Sequence, residues 1–186
     1  MDEIRRRDAS SVYQSQQPAD LCIASLFDLD FTVLSDRGVR GILLDVDNTL
    51  VVPRAKQIPA PLIDHLLSEY ARAGIRRWAL ASNSHRDLSA LADAIDADIV
   101  RARLLSAKPR TSYFRRALAL LGMQAHEVAM IGDKILHDIV PASKLGMHTV
   151  LVRPFARDQV VDRLLLRRRR ERIMCVQVSW AEAPPA

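Results

Sequence analysis

The chain has 186 residues, 49% hydrophobic and 26% charged, with 27 Lys and Arg against 22 Asp and Glu for a formal net charge of +5. A chain of this length buries about 70% of its unfolded surface, which removes any need for disulfide or metal staples. Cys22 and Cys175 offer neither a disulfide framework nor a zinc spacing, no run reaches the ~18 to 20 apolar residues of a membrane span, and no apolar stretch follows the basic residues of the start as in a secretory signal.

Residues 1–18 read as a disordered polar arm. Ala19 to Leu34 is ambiguous, with Asp30 able to cap a short helix ending near Gly38. Val39 to Asp45 is then a buried strand. Pro59 to Ala73 is a helix, because Leu62, Ile63, Leu66, Leu67 and Tyr70 recur at three- and four-residue spacing, and Gly74 ends it. A strand follows over Ile75 to Ala81, a helix over Arg86 to Ile95, and a short strand over Asp98 to Arg101. Thr111 to Leu121 is a helix closed by Gly122. Glu127 to Gly132 is an apolar strand, Leu136 to Leu145 a helix, and His148 to Val152 a strand. Arg157 to Glu171 continues as a basic amphipathic helix, taken to 172, and 173–186 is a tail. One domain over 19–172 results. It is α/β in three layers: a parallel sheet of about five strands with helices on both faces.

Ligands of an open parallel sheet bind at the carboxyl ends of its strands. The stretch LLDVDNTLVV breaks a buried strand with two acids there, Asp45 at the strand end and Asp47 in the turn. Two carboxylates beside an apolar wall raise each other's pKa unless a cation joins them. Oxygen ligands of this kind suit Mg²⁺. Asp133 ends a second strand in GDKILHD, and Asp138 follows five residues later. Lys108 in SAKPR adds a positive charge, and Ser82 in ASNS adds a hydroxyl at a third strand end. Any one of these is ordinary turn or capping chemistry. All four in one chain are not.

The order DVDNTL, ASNS, KP, GDKILHD resembles the haloacid dehalogenase superfamily of phosphatases over about Val39 to Val152. It is most similar to the class IIIA phosphatases of the YqeG type, themselves similar to mitochondrial phosphatidylglycerophosphate phosphatases. The resemblance implies a Rossmann-like, HAD-like fold and a phosphomonoesterase that needs Mg²⁺. It implies Asp45 as the nucleophile of an aspartyl-phosphate, Asp47 as general acid and base, and Lys108 as the neutralising cation. Ser82, Asn83, Thr49 and Lys108 would bind the phosphoryl group. Asp45, Asp133, Asp138 and Asp47, the last through its backbone carbonyl, would surround the metal. Lys134 and His137 depart from the family pattern, and Lys134 reads best as a partner for a carboxylate. His85 and Arg86 follow the serine motif, where they either touch a leaving group or start a helix. His65, His126, His137 and His148 have no metal spacing.

The gaps Val51 to Ala81 and Asn83 to Ala107 each hold one helix and one strand, so no cap domain fits. An open site favours a phosphate on a lipid or a macromolecule. Phosphatidylglycerophosphate is the substrate that the resemblance implies; nucleotides, nucleic-acid ends or phosphoproteins are the alternative. A third reading, of another class, is a non-catalytic module that binds an anionic membrane or a partner. Arg163, Arg167, Arg168, Arg169, Arg170 and Arg172 crowd the last helix and suit peripheral contact with anionic lipid. Nucleic acid fits less well, because aromatics are only 5% of the chain and do not interleave with the arginines. The expected location is cytoplasmic, with peripheral membrane contact open.

Overall fold

Segments that are apolar at every position can be buried on both faces, which is the environment of a parallel sheet. Val128–Gly132 is such a segment and Gly41–Asp45 is one up to its terminal acid; both are buried throughout. A computed structural model describes residues 19–155. The expected arm over 1–18, the expected basic helix over 157–172 and the tail 173–186 lie outside the described residues.

Six strands form one sheet: β1 (Leu21–Ile23), β2 (Gly41–Asp45), β3 (Arg77–Ser82), β4 (Asp98–Arg101), β5 (Val128–Gly132) and β6 (His148–Val152). Their spatial order is β1-β6-β5-β2-β3-β4, and every pairing is parallel. Side chains alternate across the sheet, and each face carries a large core. Ile42 and Leu44 pack with Leu62, Leu66 and Tyr70 of α2 (Ala60–Ala73) and with Leu91 of α3 (Ser89–Asp93). Leu43, Ala79 and Met130 pack on the other face with Tyr113, Phe114 and Ala117 of α4 (Thr111–Leu121) and with Ala142 of α5 (Val140–Ser143). The outcome is three layers, with β2 between β5 and β3 at the centre. Only α2 separates β2 from β3, and only α3 separates β3 from β4, so no cap domain is inserted there.

Three elements differ from expectation. The sheet has six strands rather than five, because the ambiguous segment contributes β1, then a 3₁₀ turn (Leu26–Asp28) and α1 (Thr32–Ser35). A three-residue strand has no periodicity to detect; its neighbour defines it. The Asp20 carboxylate accepts from the Thr149 backbone N–H (2.7 Å) and Oγ1 (3.0 Å), fastening β1 to β6. Asp20→Ala should cost about 1 kcal/mol in urea denaturation and speed amide exchange in β1 alone. Slowed or unchanged exchange there would contradict this role.

The helix expected over Arg86 to Ile95 shrinks to α3. The Asp87 carboxylate accepts from the Ser89 N–H and hydroxyl (3.0 and 2.7 Å), forming a turn before the helix. The helix expected over Leu136 to Leu145 opens with a π turn (Ile135–Ile139) before α5. Pro141 has no N–H for the helix ladder and therefore sits in the first turn of α5.

Candidate active site

Asp45 ends the central strand. After Val46 the chain turns through Asn48, whose positive φ of 72° is one that asparagine tolerates better than most residues. Leu50 N–H and Val51 N–H both donate to Val46 C=O (3.0 Å each). The turn lets Thr49 Oγ1 reach back and donate to Asp45 Oδ2 (3.2 Å). It sends the Asp47 carboxylate elsewhere. Asp47 Oδ1 accepts from Arg86 Nη2 (2.9 Å) and from the Arg54 backbone N–H (3.1 Å).

Lys108 is buried, and its ammonium donates to Asp45 Oδ1 and to Ala81 C=O (3.1 Å) and ion-pairs with Asp138 Oδ1 (2.7 Å). Burial works against its charge, but Asp138 and then Asp45 outweigh burial and hold the amine above the usual lysine range. Asn83 positions this lysine with two bonds to its backbone: Oδ1 accepts from Lys108 N–H (2.9 Å), and Nδ2 donates to Lys108 C=O (2.8 Å).

Leu44 pairs with Ile131, which sets Gly132 level with Asp45 on the neighbouring strand. Asp133 follows Gly132, and the π turn swings Asp138 back beside it. Asp138 Oδ2 accepts from Lys134 N–H (3.1 Å). Carboxylate oxygens of Asp45, Asp133 and Asp138 lie within 4.8 Å of one another, and all three residues are buried. Lys134 Nζ stands 3.4 Å from Asp133 Oδ1. Burial raises the Asp138 carboxyl above its ordinary value, against the pull of Lys108.

These three carboxylates face the ammoniums of Lys108 and Lys134, so negative charge is in excess in a buried place. Hard oxygen donors with uncompensated charge fit Mg²⁺. The Asp47 carboxylate is not among them. Ser82, buried at the end of β3, accepts from Ser84 N–H through Oγ (3.0 Å) and shares no bond with Asp45. His65 bonds to the Leu26 carbonyl (3.2 Å).

Three contributors were not foreseen in these roles. The Arg86–Asp47 pair and the Asn83 clamp span 39 and 25 residues and leave no trace in spacing. Gly132 is the third: a Cβ there would meet Asp138 Cγ at 2.7 Å and Oδ2 at 2.8 Å. That space is taken by the Asp138 carboxylate itself. Gly132→Ala should displace Asp138 and cut phosphate release about 100-fold without unfolding the sheet. Wild-type turnover in that variant would show that Asp138 need not sit there.

A family model described as HAD-hydrolase-like matches residues 105–154, the segment that carries Lys108, Asp133 and Asp138. The chain is 28% identical over 141 residues to the probable phosphatase YqeG of Bacillus subtilis, covering 74% of this chain and 77% of that one. The chain belongs to the haloacid dehalogenase superfamily, as a phosphatase of the YqeG type. It is also 31% identical over 137 residues to the chloroplastic/mitochondrial phosphatidylglycerophosphate phosphatase 1 of Arabidopsis thaliana, covering 69% of this chain but 38% of that protein. Among solved structures, an uncharacterized protein from Listeria monocytogenes serotype 4b superposes with a TM-score of 0.53 at 17% identity, covering 66% of this chain and 84% of the other. That likeness shows a shared fold alone.

Proposed function

We propose that this phosphatase hydrolyses a phosphomonoester through an aspartyl-phosphate on Asp45, with Mg²⁺ as cofactor and phosphatidylglycerophosphate as substrate. The observation that carries the reading is the surroundings of Asp45: one oxygen on Lys108, the other on Thr49, beside the carboxylates of Asp133 and Asp138. A carboxylate attacks an anionic phosphoryl group only if charge is neutralised around both. Lys108 supplies part of that. Asp45, Asp133 and Asp138, with the backbone carbonyl of Asp47, would hold Mg²⁺, which when bound supplies further neutralisation of phosphoryl oxygens.

In the first step Asp45 Oδ forms a bond to phosphorus and the phosphorus–oxygen ester bond breaks. Asp47 delivers its proton to the departing alkoxide oxygen, releasing the alcohol. In the second, water attacks the same phosphorus, Asp47 takes a water proton, and Asp45 leaves as carboxylate. Ser82, Asn83 and Thr49 would donate to the phosphoryl oxygens. Arg86 holds the Asp47 carboxylate before substrate arrives, and must yield it or move with it when the proton is transferred.

The substrate reading rests on the uncapped site and on the plastid relative's name. Among the described residues no helix is long and apolar enough to cross a membrane, so a lipid substrate would be met at a bilayer surface. Arg163, Arg167 to Arg170 and Arg172 would supply peripheral contact with anionic lipid. Purified protein should release phosphate from phosphatidylglycerophosphate in mixed micelles with MgCl₂ and stop when EDTA is added. Release from a 5′-phosphorylated oligonucleotide but not from the lipid would favour the nucleic-acid reading. No release from any ester would leave a binding module.

A further inference from the structure

We propose that the rim at the carboxyl ends of the strands, led by the Leu104–Leu105 turn, docks on an anionic lipid bilayer. This rests on the phosphatase reading only for its consequence, not for its evidence.

Arg103 and Ser106 exchange both backbone hydrogen bonds at 2.9 Å, so Leu104 and Leu105 occupy the tip of a two-residue turn. They are 98% and 73% exposed. Turn tips are ordinarily Gly, Asn, Asp, Pro or Ser, each for a backbone or hydrogen-bonding reason. Leucine supplies neither, and here it supplies no packing. Local rules broken without a compensating contact are found at functional surfaces. The turn is flanked by exposed Arg101, Arg103 and Arg110. Among the described residues Arg103 and Arg110 make no ion pair.

The turn is not alone on that rim. In a parallel sheet all loops that leave strand carboxyl ends emerge on one side. Val52, 55% exposed, follows β2, and exposed Arg54 and Lys56 follow it. Phe155, 51% exposed, follows β6, and its N–H donates to Asn48 C=O (3.4 Å), which sets it beside the turn that shapes the Asp45 site. A groove of about 460 Å³ next to the leucine turn continues the pattern, with Ile99, Ala102 and Leu120 between Arg101, Arg103 and Arg116.

Apolar tips for the acyl boundary and guanidinium groups for phosphate describe a bilayer interface of anionic lipid. A second copy of the chain fits poorly, because this rim would meet its own positive charge. The consequence for catalysis is direct. Lys108 lies four residues beyond Leu104 on the same loop, so docking brings the Asp45 site to headgroup level. A phosphomonoester there could react without its lipid leaving the bilayer.

The test uses the full chain. Wild type and the double variant Leu104→Ser with Leu105→Ser are sedimented with phosphatidylglycerol/phosphatidylcholine vesicles, and p-nitrophenyl phosphate turnover is measured in parallel. The expected result is on the order of 10-fold weaker vesicle binding with unchanged kcat/KM on the soluble ester. A third variant, Leu104→Trp, should show a blue-shifted emission increment over wild type on these vesicles and none on pure phosphatidylcholine. Retained binding by the double variant with no shift at position 104 overturns the proposal. So does a smaller particle mass for the double variant than for wild type in light scattering, which would make the tip a protein contact. Vesicle docking by a wild type that hydrolyses no lipid phosphate supports the docking surface while removing the substrate reading.

Discussion

Asp45→Asn should lower kcat for phosphate release by at least about 10⁴-fold on any ester, and leave the fold intact. The side chain is nearly isosteric, so Thr49 Oγ1 keeps an oxygen to donate to, and Lys108 keeps Asp138 and the Ala81 carbonyl. What is lost is the anionic oxygen that would bond to phosphorus; a neutral amide oxygen cannot take its place. The same change relieves a crowded site, because one of three neighbouring carboxylates disappears. Stability in EDTA should therefore hold or rise, by ~1 kcal/mol at most. Urea denaturation beside single-turnover phosphate release checks both halves. Residual turnover near wild type would mean that water attacks the ester directly and Asp45 is only a ligand. Loss of activity together with loss of fold would leave the nucleophile unassigned to Asp45.

Lys108→Met should act on stability and chemistry together. Methionine keeps much of the length and apolar volume, but removes the cation that joins Asp45 to Asp138. Breaking a buried ion pair by deleting one partner costs about 3–5 kcal/mol, because the remaining charge stays buried. Here two carboxylates lose their counter-charge and the Ala81 carbonyl loses its donor. Turnover should fall by about 10²–10³ through loss of electrostatic stabilisation. The stability loss should be largest in EDTA and partly restored by MgCl₂, since a divalent cation would compensate the same carboxylates. An unchanged urea midpoint in EDTA would show that the lysine does not hold the site together.

The two variants differ in sign on stability although both remove activity. Asp45 adds to the excess of buried negative charge, whereas Lys108 offsets it. Asn83 belongs with Lys108 in this respect, since it holds the lysine backbone from both sides.

Much of the architecture was written locally. Continuous apolar runs such as 41–44 and Val128–Gly132 can only be satisfied by burial on both faces, and the three- and four-residue spacing of Leu62, Leu66 and Tyr70 demands a helix with one buried side. Acids placed just where such runs end, together with Lys108, pointed to the carboxyl edge of a parallel sheet. The structure brings Asp45, Lys108, Asp133 and Asp138 together although Asp45 and Lys108 lie 63 residues apart.

The amino-acid order by itself thus determined the alternation of strands and helices and the sign and type of the groups at strand ends, because periodicity and chain turns act over a few residues. It left undecided β1, the Arg86–Asp47 pair, the Asn83 clamp and the space that Gly132 leaves for Asp138. Each of those depends on which strand lies beside which, and in what register. Only the assembled sheet sets those distances, so only the tertiary structure could decide them.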